Sequence, residues 1–130
     1  MLKMRKEEQI QEIPILKHHI VELKKHIDII DAKIEEFSNT EIILQELRNE
    51  KKGTKLLAPI AAGIFVKANL EESANVIVNV GANTAVEKTI EDAKTLISAQ
   101  LNEISKVRES FENQINTMKT RQEELQKMQN

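Results

Sequence analysis

Apolar residues follow two different periods along this chain. From Ile13 they recur at alternating steps of three and four: Ile13, Leu16, Ile20, Leu23, Ile27, Ile30, Ile34 and Phe37. Lys17, Glu22, Lys24, Asp28, Asp31, Lys33 and Glu35 lie between them. This is a heptad seam with a solvated back, which predicts a coiled-coil helix. Strict phase then puts Glu41 at a core position, while the apolar stripe resumes at Leu44 and Leu47 beside Ile43. The mismatch predicts a stutter or local unwinding around Ser38-Asn39-Thr40. Pro14 suits a first helical turn, or a kink that sets residues 1–13 apart from the main arm. Gly53 is a natural helix stop, so the first arm is expected over about 13–52.

A second helix is expected over about 90–128. Thr89 with Asp92 three residues on approximates a capping box. The strict seam behind it is Ile90, Ala93, Ile97, Gln100, Ile104, Val107, Phe111, Gln114, Met118, Arg121, Leu125 and Met128. Its polar members gather toward the C-terminus, so pairing is expected to loosen there. Each arm would be roughly 55–60 Å long at 1.5 Å per residue. A chain that goes out on one helix and returns on the other forms an antiparallel hairpin, with its first and last dozen residues meeting at the open end.

Between the arms the period falls to two. Leu56, Ala58 and Ile60 alternate with Lys55, Leu57 and Pro59; Ile64, Val66, Ala68 and Leu70 alternate with Phe65, Lys67 and Asn69. Val76, Val78 and Val80 alternate with Ile77 and Asn79, and Val86 centres a fourth short run. Turn residues separate the runs, notably Ala61-Ala62-Gly63 and Gly81-Ala82-Asn83. Two β-hairpins follow, about 55–60 with 64–70 and 75–80 with 84–88. Two isolated hairpins cannot hide an apolar face or satisfy their own edges. The strands are therefore expected to oligomerise through Leu56, Ile60, Ile64, Val66, Leu70, Val76, Val78, Val80 and Val86. A self-contained cap folded over the helix ends is the other arrangement.

Composition narrows what such a chain can do. The 130 residues include no Trp, no Tyr and three Phe, while 31% are charged. A thick single-chain core is a poor match, and long helices sharing a thin seam a better one. The net charge of −2 with both signs interspersed argues against nucleic acid as a partner. No run has the length of a signal peptide or a membrane span, which leads to the expectation of a soluble cytoplasmic protein. With no cysteine, disulfides and thiolate chemistry drop out. His18, His19 and His26 lack the spacing of a ligand pair, and Gly53, Gly63 and Gly81 make no phosphate loop. The carboxylates are spread over helix faces, without the enclosed setting that tunes an acid–base pair. Neither an enzyme nor a cofactor protein is expected.

The central stretch PIAAGIFVKANLEESANVIVNVGANTAVEKTIEDA, residues 59–93, resembles the central motif of the prefoldin family. FVKA at 65–68, VIVNVG at 76–81 and VEKT at 86–89 carry most of the likeness. The second hairpin matches the α class of subunit, and the wording looks archaeal. The resemblance covers the whole architecture and implies a single prefoldin-like domain over 1–130, α+β and mostly α: a long antiparallel coiled-coil hairpin whose two central β-hairpins join a multi-subunit β-barrel. It further implies an ATP-independent chaperone subunit in a heterohexamer of two α-class and four β-class subunits. Such an assembly captures non-native polypeptides at its coiled-coil tips and delivers them to a group II chaperonin.

A holder of unfolded chains needs adaptable apolar atoms, which flexible Met side chains supply. At the expected open end stand Leu2, Met4, Ile10, Met118, Leu125 and Met128, the candidate client-binding residues. Two other functions fit the same pattern: a structural coiled-coil scaffold, and a homo-oligomeric or filament-forming prefoldin relative that needs no β-class partner.

Overall fold

The computed structural model of the chain describes residues 6–129. Six elements follow in order: α1 (Lys6–Arg48), β1 (Lys55–Ala61), β2 (Ile64–Asn69), β3 (Asn75–Gly81), β4 (Thr84–Thr89) and α2 (Ile90–Gln129). The fold is α+β and mostly helical. It divides into two compact units, one made of the described residues up to Glu35 with those from Asn102 onward, the other of Glu36–Leu101.

α1 differs from its sequence-based bounds at both ends. It begins at Lys6, and Pro14 lies inside it rather than in a first turn. A proline removes one backbone hydrogen bond, and the good helix formers before it, Glu7 to Glu12, sustain the turn on its other side. α1 stops at Arg48, short of Gly53, because the apolar stripe ends at Leu47 and nothing beyond it packs. Asn49 and Glu50 donate their amides to the carbonyls of Glu46 and Leu47 at 3.1 Å, tightening the last turn.

The expected unwinding at Ser38-Asn39-Thr40 is absent. α1 runs straight through it as helix, and the Thr40 hydroxyl donates to the Glu36 carbonyl at 2.8 Å. Strict phase persists to Glu41, whose carboxylate accepts a 2.9 Å hydrogen bond from Ser98 on α2. The core position is polar, but its acceptor is satisfied, so the helix has no reason to shift. A second correction concerns the solvated back of α1, where Ile15, Val21, Ile29, Ile42 and Ile43 are exposed.

The phase change lies on α2 instead. Its buried and half-buried positions include Ile90, Ala93, Ile97, Leu101, Ile104, Arg108, Phe111, Ile115, Met118, Gln122 and Leu125. Two successive steps of four, from Ala93 to Ile97 to Leu101, replace the alternation, which is a stutter. Beyond it, the strict heptad's Gln100, Val107 and Gln114 are exposed, and Leu101 and Ile115 take the inward positions. The pairing does not loosen toward the C-terminus, because the shifted phase brings Ile115 onto the seam, and Leu125, inward in either phase, is completely buried.

Each unit has its own core. In the first, Ile20, Ile27 and Ile115 cluster, with Leu23, Phe111 and Met118 packed against them. In the second, Leu44, Ile90 and Ala93 cluster, and Leu47, Ile97, Val76 and Val78 cover them. Fully burying one such aliphatic side chain contributes about 1.5–3 kcal/mol.

β1 pairs antiparallel with β2, and β3 with β4, as two separate two-stranded sheets. Both hairpins share one design: the register shifts by a residue just before the turn, between Pro59 and Ala61 and between Asn79 and Gly81. Ile60 and Val80 are the extra residues of these bulges, which bend and twist the hairpin tips. In the second turn Gly81, Ala82 and Asn83 have φ of 99°, 50° and 58°. Positive φ at Ala82 and Asn83 is the signature of a type I′ turn, and the alanine stands there at a cost of about 1–2 kcal/mol. Thr89 caps α2 by accepting the Asp92 amide at 3.1 Å, as the capping pattern implied.

The stutter is directly testable. Ile115→Ala is expected to destabilise the chain by about 2–5 kcal/mol, and Gln114→Ala by no more than about 0.5 kcal/mol. Urea unfolding followed by circular dichroism measures both; equal losses would contradict the phase described.

Candidate functional site

Besides the exposed aliphatic residues on the back of α1, apolar area is open on the strands and at the terminal turns of the helices. On the first hairpin Leu56, Leu57, Ile60, Ile64, Phe65 and Val66 are all exposed. On the second, Ile77 and Val80 are exposed. Each strand has a hydrogen-bonded neighbour on one side only.

The nine strand residues named from the sequence do not share one environment. Leu56, Ile60, Ile64, Val66 and Val80 are exposed, and Val86 is half-buried. Val76 and Val78 pack on Leu44, Ile90 and Ala93 of the chain's own helices. The self-contained cap therefore holds for that one face of the β3–β4 hairpin. Leu70 is half-buried at the mouth of the first hairpin, its amide donating to the Thr54 carbonyl at 2.8 Å and its carbonyl accepting from Gly53 at 2.7 Å. Leu57, Phe65 and Ile77 are exposed apolar residues outside the sequence-named set. Their signal was the second face of the same alternation.

At the helix ends, the first turns of α1 and the last turns of α2 meet side by side. Gln129 donates to Gln9 at 3.4 Å, and the Arg121 guanidinium forks onto the Glu12 carboxylate with two contacts of 3.1 Å. Ile10 and Met128 are 50% and 56% exposed. Leu125, by contrast, is completely buried, and Met118 packs against Ile20, Ile27 and Ile115. Both are seam residues, which corrects the expectation of an open end at these two positions. Leu2 and Met4 lie outside the described residues.

Ion pairs fix how the helices align. Arg108, at a half-buried seam position, donates to Asp31 across the interface at 2.6 Å and to Glu112 at 2.7 Å. In the other unit, Lys94 reaches Gln45 at 2.6 Å, and Arg48 pairs with Glu91. The hydrogen bond from Arg108 holds the Asp31 carboxyl below its ordinary value of 3.8, and the guanidinium charge adds to it. Glu87 moves the other way, above its ordinary 4.5, because Glu72 shares a hydrogen bond with it and adds like charge. An Asn75 amide 3.3 Å away partly offsets this.

Among the described residues no group of three or more metal-ligating side chains comes together. His18 and His19 meet edge to face at 6.2 Å, and His26 lies 5.8 Å from the Phe111 ring at the seam margin. No helix among the described residues is long and apolar enough to cross a membrane.

Known proteins share this arrangement. The family model described as prefoldin subunit matches residues 16–130. A prefoldin subunit alpha from Thermofilum pendens is 25% identical over 93% of this chain and 94% of its own length. Human prefoldin subunit 5 is 29% identical over 85% of this chain and 68% of its own. A solved structure, a filamentous PFD from Methanocaldococcus jannaschii, superimposes with a TM-score of 0.79 at 23% identity, covering 88% of this chain and 95% of that one.

The two shifted carboxyls predict opposite pH behaviour. A lowered carboxyl contributes stability above its unfolded value and loses it as the pH falls through the folded one. Asp31→Asn should therefore lower the unfolding temperature at about pH 7, by an amount that shrinks as the pH falls below 3.8 and in high salt. A raised carboxyl contributes only at low pH, so Glu87→Gln should be neutral or stabilising at about pH 7. Thermal unfolding across this range checks both signs, and a pH-independent loss at Asp31 would contradict the pairing. The strand pairs, the paired helices and the match over residues 16–130 agree: the chain belongs to the prefoldin family, among relatives named alpha subunits.

Proposed function

We propose that this chain is the α-class subunit of an ATP-independent chaperone, assembled through its strands and holding non-native polypeptides at its helix ends. The observation that carries the reading is a strand platform with exposed apolar faces, in a chain of the prefoldin family. Apolar strand residues open to water with unpaired edges beside them are a template for pairing with other chains. Leu56, Ile60, Ile64, Val66 and Val80 are the residues proposed to be covered by neighbouring subunits, two α-class with four β-class, in a closed barrel that removes the edges. Val76 and Val78 anchor the second hairpin on the chain's own helices, and the half-buried Leu70 and Val86 are proposed to be covered further on assembly.

The client surface is proposed at Ile10 and Met128, together with Leu2 and Met4. Met118 and Leu125 underlie it as seam residues and join the surface if the terminal turns separate on binding. The flexible thioether of Met128 adapts to many partners, and Ile10 adds exposed apolar area. Delivery to a group II chaperonin in the cytoplasm completes the proposed role. It involves no cofactor, no nucleic acid and no membrane.

The experiment uses this chain reconstituted with a β-class prefoldin subunit. Val66→Asp, on a strand face that the chain's own core clusters do not cover, should abolish the multi-chain particle on size exclusion with light scattering. Ile10→Ser with Met128→Ser should leave that particle intact and weaken binding of a denatured client about tenfold, the loss of ~1.4 kcal/mol. Unchanged particle mass for the first variant contradicts the assembly, and undiminished aggregation suppression by the second contradicts the client surface.

A further inference from the structure

The two hairpins differ in a way that strand closure does not explain. In an antiparallel ladder directly paired residues share a face. One face of the β3–β4 hairpin carries Val76, Val78, Val86 and Lys88, and Val76 and Val78 pack on the helices. The other bears the pairs Asn75–Thr89, Ile77–Glu87 and Asn79–Ala85, polar apart from Ile77 and one alanine. That is the alternation of a sheet with one wet side. The β1–β2 hairpin lacks it. One face holds Leu56, Ala58, Val66 and Ala68, and the opposite face holds Lys55–Asn69, Leu57–Lys67 and Pro59–Phe65. Leu57 and Phe65 are 66% and 55% exposed, more than Leu56 and Val66 at 37% and 44%.

A single layer of strands buries one face, because alternate side chains point to opposite sides. Closure over Leu56 and Val66 leaves Leu57, Pro59 and Phe65 in water. From this we infer that the outer face of the β1–β2 hairpin is a docking site for an acidic segment of a partner protein that also carries apolar side chains. The inference rests on the assembly proposed above.

Three observations select that occupant. Leu57 and Phe65 are diagonal neighbours across the ladder, within reach of one inserted apolar side chain. A concavity at this end of the hairpin is lined by Lys55, Leu57, Lys67 and Asn69 together with Leu56 and Ala68 of the opposite face. Lys55 and Lys67 are the only charged residues between Thr54 and Leu70. An apolar centre beside two cations fits a peptide that alternates apolar and carboxylate side chains, whose charge would also speed the encounter. A second copy of the same face fits poorly, since it would oppose lysine to lysine.

The test uses the assembled complex and three dye-labelled peptides of equal length: alternating Leu and Glu, alternating Leu and Lys, and alternating Ser and Glu. Fluorescence anisotropy reads affinity, and light scattering reads particle mass in the same samples. The Leu/Glu peptide should bind about tenfold or more tightly than either of the others. Lys55→Glu with Lys67→Glu should erase that preference at unchanged particle mass. Equal binding of the Leu/Glu and Leu/Lys peptides, or full binding by the variant, overturns the proposal. So does a peptide that breaks up the particle, which would mean it had taken the assembly face, or stacking of unmodified particles that the variant loses, which would put a second copy there. A monomeric mass before any peptide is added overturns the assembly reading and this proposal with it; intact particles without selective binding overturn this proposal alone.

Discussion

Backbone hydrogen bonding at the strand edges is the constraint from which the rest follows. Each of the four strands has one hydrogen-bonded neighbour, and the two sheets do not join. A two-stranded ribbon is marginal alone in water. Among the described residues, only the valine face of the second hairpin packs on a helical core, over Leu44, Ile90 and Ala93. Among the described residues nothing backs the first hairpin in this way, and its large apolar residues are exposed. A chain with this middle section is incomplete by itself, which is a property of its geometry before any family is considered.

The helices meet a different demand: holding two long partners in one register with a thin core. Leucine and isoleucine seams alone tolerate sliding by a heptad. Arg108 on Asp31, Arg121 on Glu12, and Ser98 on Glu41 are specific pairs between the helices that a slip would break. Such exposed pairs add little to stability. Their value lies in alignment, which a polar group at a seam position can specify. The stutter at Ile97–Leu101 serves the same end, turning the stripe of α2 so that Leu101 and Ile115 lie inward.

Much of this was legible in the sequence. The change of period from 3.5 to 2, the turn residues and the Thr89 cap located every element, and the motifs at 65–68, 76–81 and 86–89 pointed to the family that the match over 16–130 shows. What strict heptad counting missed was the drift between 3.6 and 3.5 residues per turn. It placed Gln114 inward although the more apolar Ile115 stood next to it. It also assumed that a glutamate at a core position must break the helix, where a serine hydroxyl on the facing helix satisfies it instead. Leu125 stood on the strict seam as well, and its complete burial overrides its placement at an open end. Pattern alone could not tell which strand face the chain covers itself, because that depends on Val76 and Val78 meeting Leu44 in three dimensions.

Amide hydrogen exchange tests the central claim most directly. Strand amides between Lys55 and Thr89 should be protected in the assembled complex and lose that protection when it is diluted to single chains. Amides around Ile20, Ile27 and Ile115 should keep theirs, since their core lies within one chain. Strand protection that stays the same at every concentration would contradict the account, because the edges would then need no other subunit.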